Sequence, residues 1–356
     1  MGAHMLDLVA EYVGTAEVSL MAQKTSRVDW LLEKAAALGA RTVPLPSPRD
    51  PRFAESITCF LGTHPADVFH CHVGTGCEDW DGVRLARAAG CPAVVQTQHL
   101  PFLVSHPRKR QAFHHAVEEV DRLIAVSEGL RRTYERIGVP PESIVTVPNG
   151  VAPLTGRMSR KEARRVLGLG PDQPVALTIG RLTQMKGQWH LIDALPPLIA
   201  RFPGLAVVLL GDGPLRESLQ SRAAALGVSR HVVFAGHRPD ARRLLAAADV
   251  FVLPSRHEGM PLAALEAMEA RLPVVATRVI GTAEVVDDGV TGALVRPGNP
   301  SALGAALGRL LADPALRRRQ GMAGRHRYEA SFTRERMAAE TAEVYEAVLA
   351  GVEVAA

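Results

Sequence analysis

SRHEGMPLAALEAMEARLPVVAT, residues 255–277, decides how this chain is read. It runs from a polar loop into an apolar helix-like segment and then into a continuous strand-like run, LPVVAT. Pro261 is expected at the first helical position, which proline tolerates because its missing N–H would be unpaired there anyway. The helix start then offers free N–H groups and a positive dipole end, an arrangement suited to an anion. Glu258 lies in the loop just before it. A carboxylate there is better suited to accept hydrogen bonds from sugar hydroxyls than to hold phosphate. Glu266 lies roughly 1.4 turns beyond Pro261. It reaches back toward the same crevice to grip a polyol such as ribose, or it is a surface carboxylate at the edge of the apolar face marked by Leu265 and Met268.

Outward from this stretch, strand-like and helix-like pieces alternate. PVALTIGR (174–181), LAVVLLGDG (205–213), HVVFAGH (231–237), VFVLPS (250–255) and LPVVAT (272–277) read as strands. GQWHLIDALPPLIARF (187–202) and PLRESLQSRAAALGV (214–228) read as helices between them, the latter stopping near Gly227. The strands are unbroken Val/Leu/Ile runs, the pattern of parallel strands covered on both faces. Such alternation implies right-handed crossovers and a doubly wound sheet, whose ligands bind beyond the carboxyl ends of the strands. The first half repeats the beat less completely, with EVSLMA, ADVFHCHV, PAVVQTQH, DRLIAVS and SIVTVPNGV as strands. PNGVAPLTGRMS is the expected linker.

The 356 residues suggest about two domains of roughly 150 residues. A net charge of +4 without a long Lys/Arg block, and 4% aromatics, argue against a nucleic-acid partner. No run long enough to span a membrane occurs, and residues 1–20 lack the features of a signal peptide. A cytoplasmic location, with Cys59, Cys71, Cys77 and Cys91 reduced, is therefore expected. The opening MGAHM resembles a cloning remnant, which puts the start of the first domain at residue 6. His70, His72 and Cys77 in HCHVGTGC do not match a standard zinc spacing, and no metal is expected. The basic HPRKR (106–110) admits peripheral contact with an anionic membrane, although a solvated helix start is the plainer reading.

GRLTQMKG (180–187) leaves one strand and enters a helix. Arg181 as a fork and Lys186 as a point charge can hold a diphosphate there. GDGP (211–214) lacks the three spaced glycines of a dinucleotide site. Gly211 is expected to let a nucleotide approach the backbone.

Together GRLTQMKG, LLGDGP, VVFAGHRPD, AADVFVLPSRHEGMPLAALEAMEARLPVVAT and GTAEVVDDGVTGALVRPG resemble the nucleotide-sugar half of the retaining GT-B glycosyltransferases of the group 1 family. Glu258 and Glu266 resemble that family's Glu-x7-Glu motif. The resemblance implies two Rossmann-like parallel-sheet domains facing a cleft: residues 6–153 on the acceptor side, joined by a returning helix 334–350, and residues 154–333 on the donor side. It implies a metal-independent transferase moving a hexose or N-acetylhexosamine from a nucleotide diphosphate sugar, UDP favoured over GDP, to a glycan, lipid or small-molecule hydroxyl. Arg181 and Lys186 would neutralise the diphosphate. Glu258 would contact the donor sugar, with backbone N–H groups of Gly259, Met260, Pro261 and Leu262 nearby (proline having none of its own). Glu266 would hold the ribose, and the backbone around His237 and Arg238 would face the base. In the first half, TQH singles out His99 as a catalytic or hydroxyl-positioning group, and HCHVG places His72 on the acceptor side.

The chain departs from the family in two places. Ala152 stands where Asp usually follows PNGV, and LDLVAEYVG resembles only the end of the family's first helix. The initial strand and its glycine loop are therefore expected to be absent from the first domain. Asp79 and Asp81 form an isolated Asp-x-Asp, read as a surface or acceptor contact. A sugar phosphorylase or nucleotide-sugar epimerase of similar architecture, and a nucleotide-sugar binding protein without transfer, are the competing readings.

Overall fold

The computed structural model describes residues 1–25, 28–74, 80–103 and 106–355. They divide into two compact units. Met1–Ala152 with Arg334–Ala356 form the first, and Pro153–Thr333 form the second.

Twelve strands are described. The first unit holds β1 (Ser19–Gln23), β2 (Arg41–Leu45), β3 (Val68–Val73), β4 (Ala93–Gln98), β5 (Arg122–Ala125) and β6 (Ile144–Thr146). The second holds β7 (Val175–Ile179), β8 (Ala206–Leu210), β9 (Val232–Gly236), β10 (Val250–Leu253), β11 (Val274–Thr277) and β12 (Gly292–Val295). Every ladder between named strands is parallel.

The second unit is one six-stranded sheet in the order β12-β11-β10-β7-β8-β9. Chain order runs outward in both directions from the β10/β7 pair, so that pair is the switch point where α/β sheets place ligands. β8, β10 and β11 are buried along their whole length, as their unbroken apolar runs require. Leu191, Leu195, Leu198, Leu303 and Leu307 from flanking helices pack with Val207, Leu209 and Val250 in its core. The single helix expected over 187–202 is two, Gln188–Asp193 and Leu195–Arg201. Pro196 and Pro197 cannot donate into a continuing ladder, so they restart the helix in its first turn.

The first unit contains two sheets, β1-β2 and β3-β4-β5-β6. No strand or glycine loop precedes the helix Gly2–Tyr12 among the described residues. That helix serves both sheets. Leu8 packs with Ala93, Val95 and Ile124, and the adjacent Val9 packs with Leu20, Leu31 and Ala35. MGAHM is therefore part of the fold, which does not start at residue 6: Gly2 opens this helix and His4 is 2% exposed. The returning helix Arg334–Ala355 contributes Met337, Ala338, Val344 and Val348 to the core over β4. No described helix is long and apolar enough to cross a membrane.

Candidate active site

In the second unit the candidate donor residues gather on loops beyond β7, β8, β9 and β10. Lys186 follows β7 and Glu258 follows β10, the two neighbours at the switch point. Lys186 Nζ donates to Glu258 Oε1 at 2.6 Å, and Ser255 Oγ donates to the same oxygen at 2.6 Å. Glu258 is 4% exposed, whereas the Lys186 side chain is 29% exposed. The carboxylate is thus fixed from two sides while one face of the ammonium remains accessible. Arg181 is exposed, and no ion pair to it is seen among the described residues.

The loops that carry these groups touch backbone to backbone. Gly187 has φ 62°, and a Cβ there would meet Pro254 O at 2.3 Å. Gly211 has φ 144°, and a Cβ there would lie 2.0 Å from Gly180 O. Gly211 therefore serves the approach of the chain's own β7 loop, a tighter demand than the approach of a nucleotide. Gly281 closes the far side, where a Cβ would lie 1.7 Å from Gly259 O. Glu258 and Gly259 are held between these contacts with little room to move.

Pro261 is not the first helical residue. It is the N-cap, with φ −78° and ψ 110°, and Leu262 begins the helix Leu262–Glu269. No side chain caps this end. Ala264, Leu265, Ala267, Met268 and Glu269 are buried, which leaves Leu262, Ala263 and Glu266 on the accessible face. Glu266 lies one turn beyond Leu262, on the same side. Its side chain is 15% exposed and faces Arg242 Nε at 3.5 Å. Glu269, three residues on, is 1% exposed and structural: Arg325 Nη1 donates at 2.7 Å, Leu154 N at 3.3 Å, and Arg157 pairs with the same oxygen. Beyond β9, His237 is exposed, and Arg238 is forked onto Asp240 through Nε and Nη2, both at 2.8 Å.

In the first unit, strand periodicity assembles a histidine cluster. His70 and His72 are two apart on β3 and share a face. His72 lies opposite Thr97 in the register, which sets Thr97 and His99 on the same side of β4. His72 Nδ1 lies 3.2 Å from His99 Nε2, and the two rings stack at 5.4 Å. His70 contacts Thr97 Oγ1 at 2.7 Å and Tyr345 Oη at 2.5 Å. His4 completes the group from the first helix, with ring centroids 5.2 Å from His72 and 4.8 Å from His99. Burial holds the His4 and His70 imidazoles neutral, down to about 3, and pushes His72 and His99 well below their ordinary value. The opposite face of β4 is polar too: Gln98 Nε2 donates to Gln96 Oε1 at 2.6 Å, and Tyr134 Oη donates to Gln98 Oε1 at 2.8 Å.

Sequence reasoning missed His4, Asn149 and Ser255. His4 was lost with the opening residues. Asn149 stands in the VPNGV signature and Ser255 three residues before Glu258, so both had a visible signal. Cys77 and Asp79 lie outside the described residues; Asp81 is exposed at the start of the helix Trp80–Ala88.

The chain as a whole is similar to known proteins. The family described as "Glycosyl transferases group 1" matches residues 159–327, and "Glycosyl transferase 4-like domain" matches residues 1–150. A GDP-mannose-dependent alpha-(1-6)-phosphatidylinositol monomannoside mannosyltransferase of Mycolicibacterium smegmatis is 34% identical over 351 residues, covering 89% of this chain and 87% of that protein. The chain belongs to the group 1 glycosyltransferases. The crystal structure of HepE from Anabaena in complex with UDP superposes on the transferase with a TM-score of 0.81 at 21% identity, covering 97% of this chain and 96% of that one. Sucrose-phosphate synthase from Thermosynechococcus elongatus gives 0.77 at 23% identity, over 98% and 92% of the two chains. The fold of the transferase is GT-B, two parallel-sheet α/β domains.

Proposed function

We propose that the transferase moves a hexosyl or N-acetylhexosaminyl group from a UDP- or GDP-sugar to an acceptor hydroxyl, with retention of configuration and without a metal ion. The observation that carries this reading is the Lys186–Glu258 pair at the β7/β10 switch point. It sets a partly accessible cation next to a rigidly held carboxylate. Beside it are the exposed Arg181 and an uncapped helix start at Leu262.

As the sugar leaves, negative charge develops on the diphosphate oxygen. Arg181, Lys186 and the N–H groups at the helix start stabilise that charge, the part a divalent cation plays elsewhere. Glu258, fixed by Ser255 and Lys186, accepts hydrogen bonds from donor-sugar hydroxyls, and Glu266 accepts them from the ribose. The backbone beyond β9, at His237 and Arg238, contacts the base, and Gly259 and Met260 line the sugar. The leaving diphosphate takes the acceptor's proton, so no enzyme carboxylate needs to become covalently glycosylated. We assign His72 and His99 to acceptor-hydroxyl recognition. Both nucleotides enter the proposal because the mannosyltransferase relative is named for GDP-mannose and HepE was solved with UDP. The relative also acts on a phosphatidylinositol mannoside. With the exposed Arg108 and Arg110 of the helix Pro107–Val117, this favours a lipid-linked acceptor reached at an anionic membrane surface.

Calorimetric titration of UDP, GDP and ADP in EDTA, into the transferase and its Lys186→Ala variant, tests the donor site. One nucleotide binds selectively, and the substitution weakens it by about 10-fold or more. Equal binding to both proteins would remove Lys186 from the site. Proton NMR of the product's anomeric signal then reads retention directly.

A further inference from the structure

The histidine cluster of the first unit contains more nitrogen than acceptor recognition uses. His4 is 2% exposed, and its Nδ1 lies 3.0 Å from Asn149 Oδ1. A carboxamide oxygen only accepts, so Nδ1 carries the proton and Nε2 carries a lone pair. That Nε2 is buried, with no hydrogen-bond partner among the described residues. A buried polar atom in this state costs stability. Stacking alone gives no reason for it, because an apolar ring would stack as well.

We propose that His4, His72 and His99 form a binding site for a divalent transition ion of the zinc class, and that occupation of this site withdraws His99 from the acceptor. One nitrogen from each of the three rings lies within 4.8 Å of the others. Two ligands held at about 2.0–2.1 Å from a tetrahedral ion stand roughly 3.3–3.4 Å apart. His72 Nδ1 and His99 Nε2, at 3.2 Å, already match that spacing. His4 must swing inward to close the remaining gap, a ring movement at one end of a surface-reaching helix. Its bond to Asn149 supplies the outer hydrogen bond that usually fixes the tautomer and orientation of a metal-bound imidazole.

The chemistry of the donors selects the ion. Three imidazoles and no carboxylate suit zinc, cobalt, nickel or copper, and disfavour magnesium and calcium. Because burial keeps all four rings neutral, coordination need not displace a proton into a charged site. His72 and His99 shift their protons to the ring nitrogen that faces away. Three protein ligands leave one position of a tetrahedral ion for water. This cluster differs from the His70, His72 and Cys77 grouping weighed from sequence. His70 is already committed at both nitrogens, to Thr97 and Tyr345, and Cys77 lies outside the described residues.

The loss of transfer rests on the proposed role of His99, whereas the ion site itself does not. The experiment therefore reads the two separately. Tag-free full-length protein, stripped with EDTA and dialysed, is titrated with cobalt(II), and the visible ligand-field absorption is followed. One equivalent binds, giving the strong absorption of four-coordinate cobalt, and zinc displaces it. His4→Gln and His99→Gln each lose this signal, while His115→Gln, on the exposed end of another helix, retains it. Thermal midpoints with and without zinc provide a second reading: zinc raises the midpoint of the wild-type protein and leaves that of His4→Gln unchanged. Absence of the cobalt signal in the wild-type protein, or its survival in His4→Gln, overturns the site. If cobalt binds with unchanged transfer, the inhibitory role is overturned. Nucleotide titration in the presence of zinc shows separately whether the donor site still functions.

Discussion

Replacing Glu269 separates a structural carboxylate from its catalytic-looking neighbours. Its Oε1 receives Arg325 Nη1 at 2.7 Å, Leu154 N at 3.3 Å and Arg157. The side chain is 1% exposed, against 17% for Arg325 and 49% for Arg157. Glu269→Gln keeps an acceptor oxygen but removes the charge. Each arginine bond falls from the range of charge-assisted bonds to that of neutral ones, about 1 kcal/mol apiece. Arg157 is half exposed, so solvent screening takes back part of its share, and a total loss of about 1–2 kcal/mol is expected. Glu269→Ala removes all three bonds and leaves the half-buried Arg325 with Glu329 as its carboxylate partner at 2.6 Å and the backbone oxygen of residue 269 at 2.8 Å. Breaking a buried pair in this way costs about 3–4 kcal/mol. Trp189 is the only tryptophan between residues 153 and 333, so in a background with Trp30 and Trp80 replaced by Phe its fluorescence during urea unfolding reports on the second unit alone. Per kilocalorie, the thermal midpoint of a unit this size moves by roughly 2–4 °C. Equal losses for the two variants, or a loss under about 0.5 kcal/mol for Ala, would refute the electrostatic account. Nucleotide affinity, by contrast, stays within about 2-fold of wild type for Glu269→Gln, because Glu269 pairs with Arg157 and Arg325 whereas Glu258 pairs with Lys186, and the two carboxylates share no partner.

Three further outcomes follow from the same geometry. The neutral histidines make the first unit acid-labile: His4 and His70 titrate near 3 when folded and near 6.5 when unfolded. The unfolded chain therefore gains protons first as pH falls, and the stability present above about 6.5 is lost below it, by about 2–3 kcal/mol for this pair between pH 7 and 5.5. His72 and His99 add to the loss, and urea midpoints of the EDTA-treated protein measure it; an unchanged midpoint would show the rings to take up protons alike in the folded and unfolded chain. Gly211→Ala sets a Cβ against Gly180 O at a left-handed φ, and should cost at least about 2–3 kcal/mol of second-unit stability in the Trp189 assay. Glu258→Gln frees Lys186, so nucleoside diphosphate binds at least as tightly by calorimetry while transfer falls by about 100-fold; weakened nucleotide binding would show that the carboxylate organises the phosphate site instead.

The second unit was legible in the sequence because its strands are buried on both faces. β8, β10 and β11 have no polar alternation to confuse with a helix, and β8 is followed by the glycine turn GDG. β12 went unread because GALV is only four residues long, inside a turn-rich stretch. β2 went unread because RTVPL carries a proline and two polar residues. The positions of Lys186 and Glu258 at adjacent strand ends followed from strand order. Their direct ion pair did not, since two residues separated by 72 positions announce no distance. His72 and His99 were readable from their strand ends, whereas His4 reached them from the first turn of a helix whose opening MGAHM resembled a leftover of cloning. The deeper reason is that period-2 and period-3.6 patterns specify faces, while the meeting of two faces from different elements is a property of the packed chain.

The chain leaves the first unit at Ala152 and returns to it only at Arg334. On the ribosome, residues 153–333 emerge and can close their own sheet while the first unit still lacks Met337, Ala338, Val344 and Val348 from its core. The amino-terminal half is thus the last to be finished. A stop codon late in the message, removing only the closing helix, would spare the second unit and leave apolar surface over β4 for chaperones to cover.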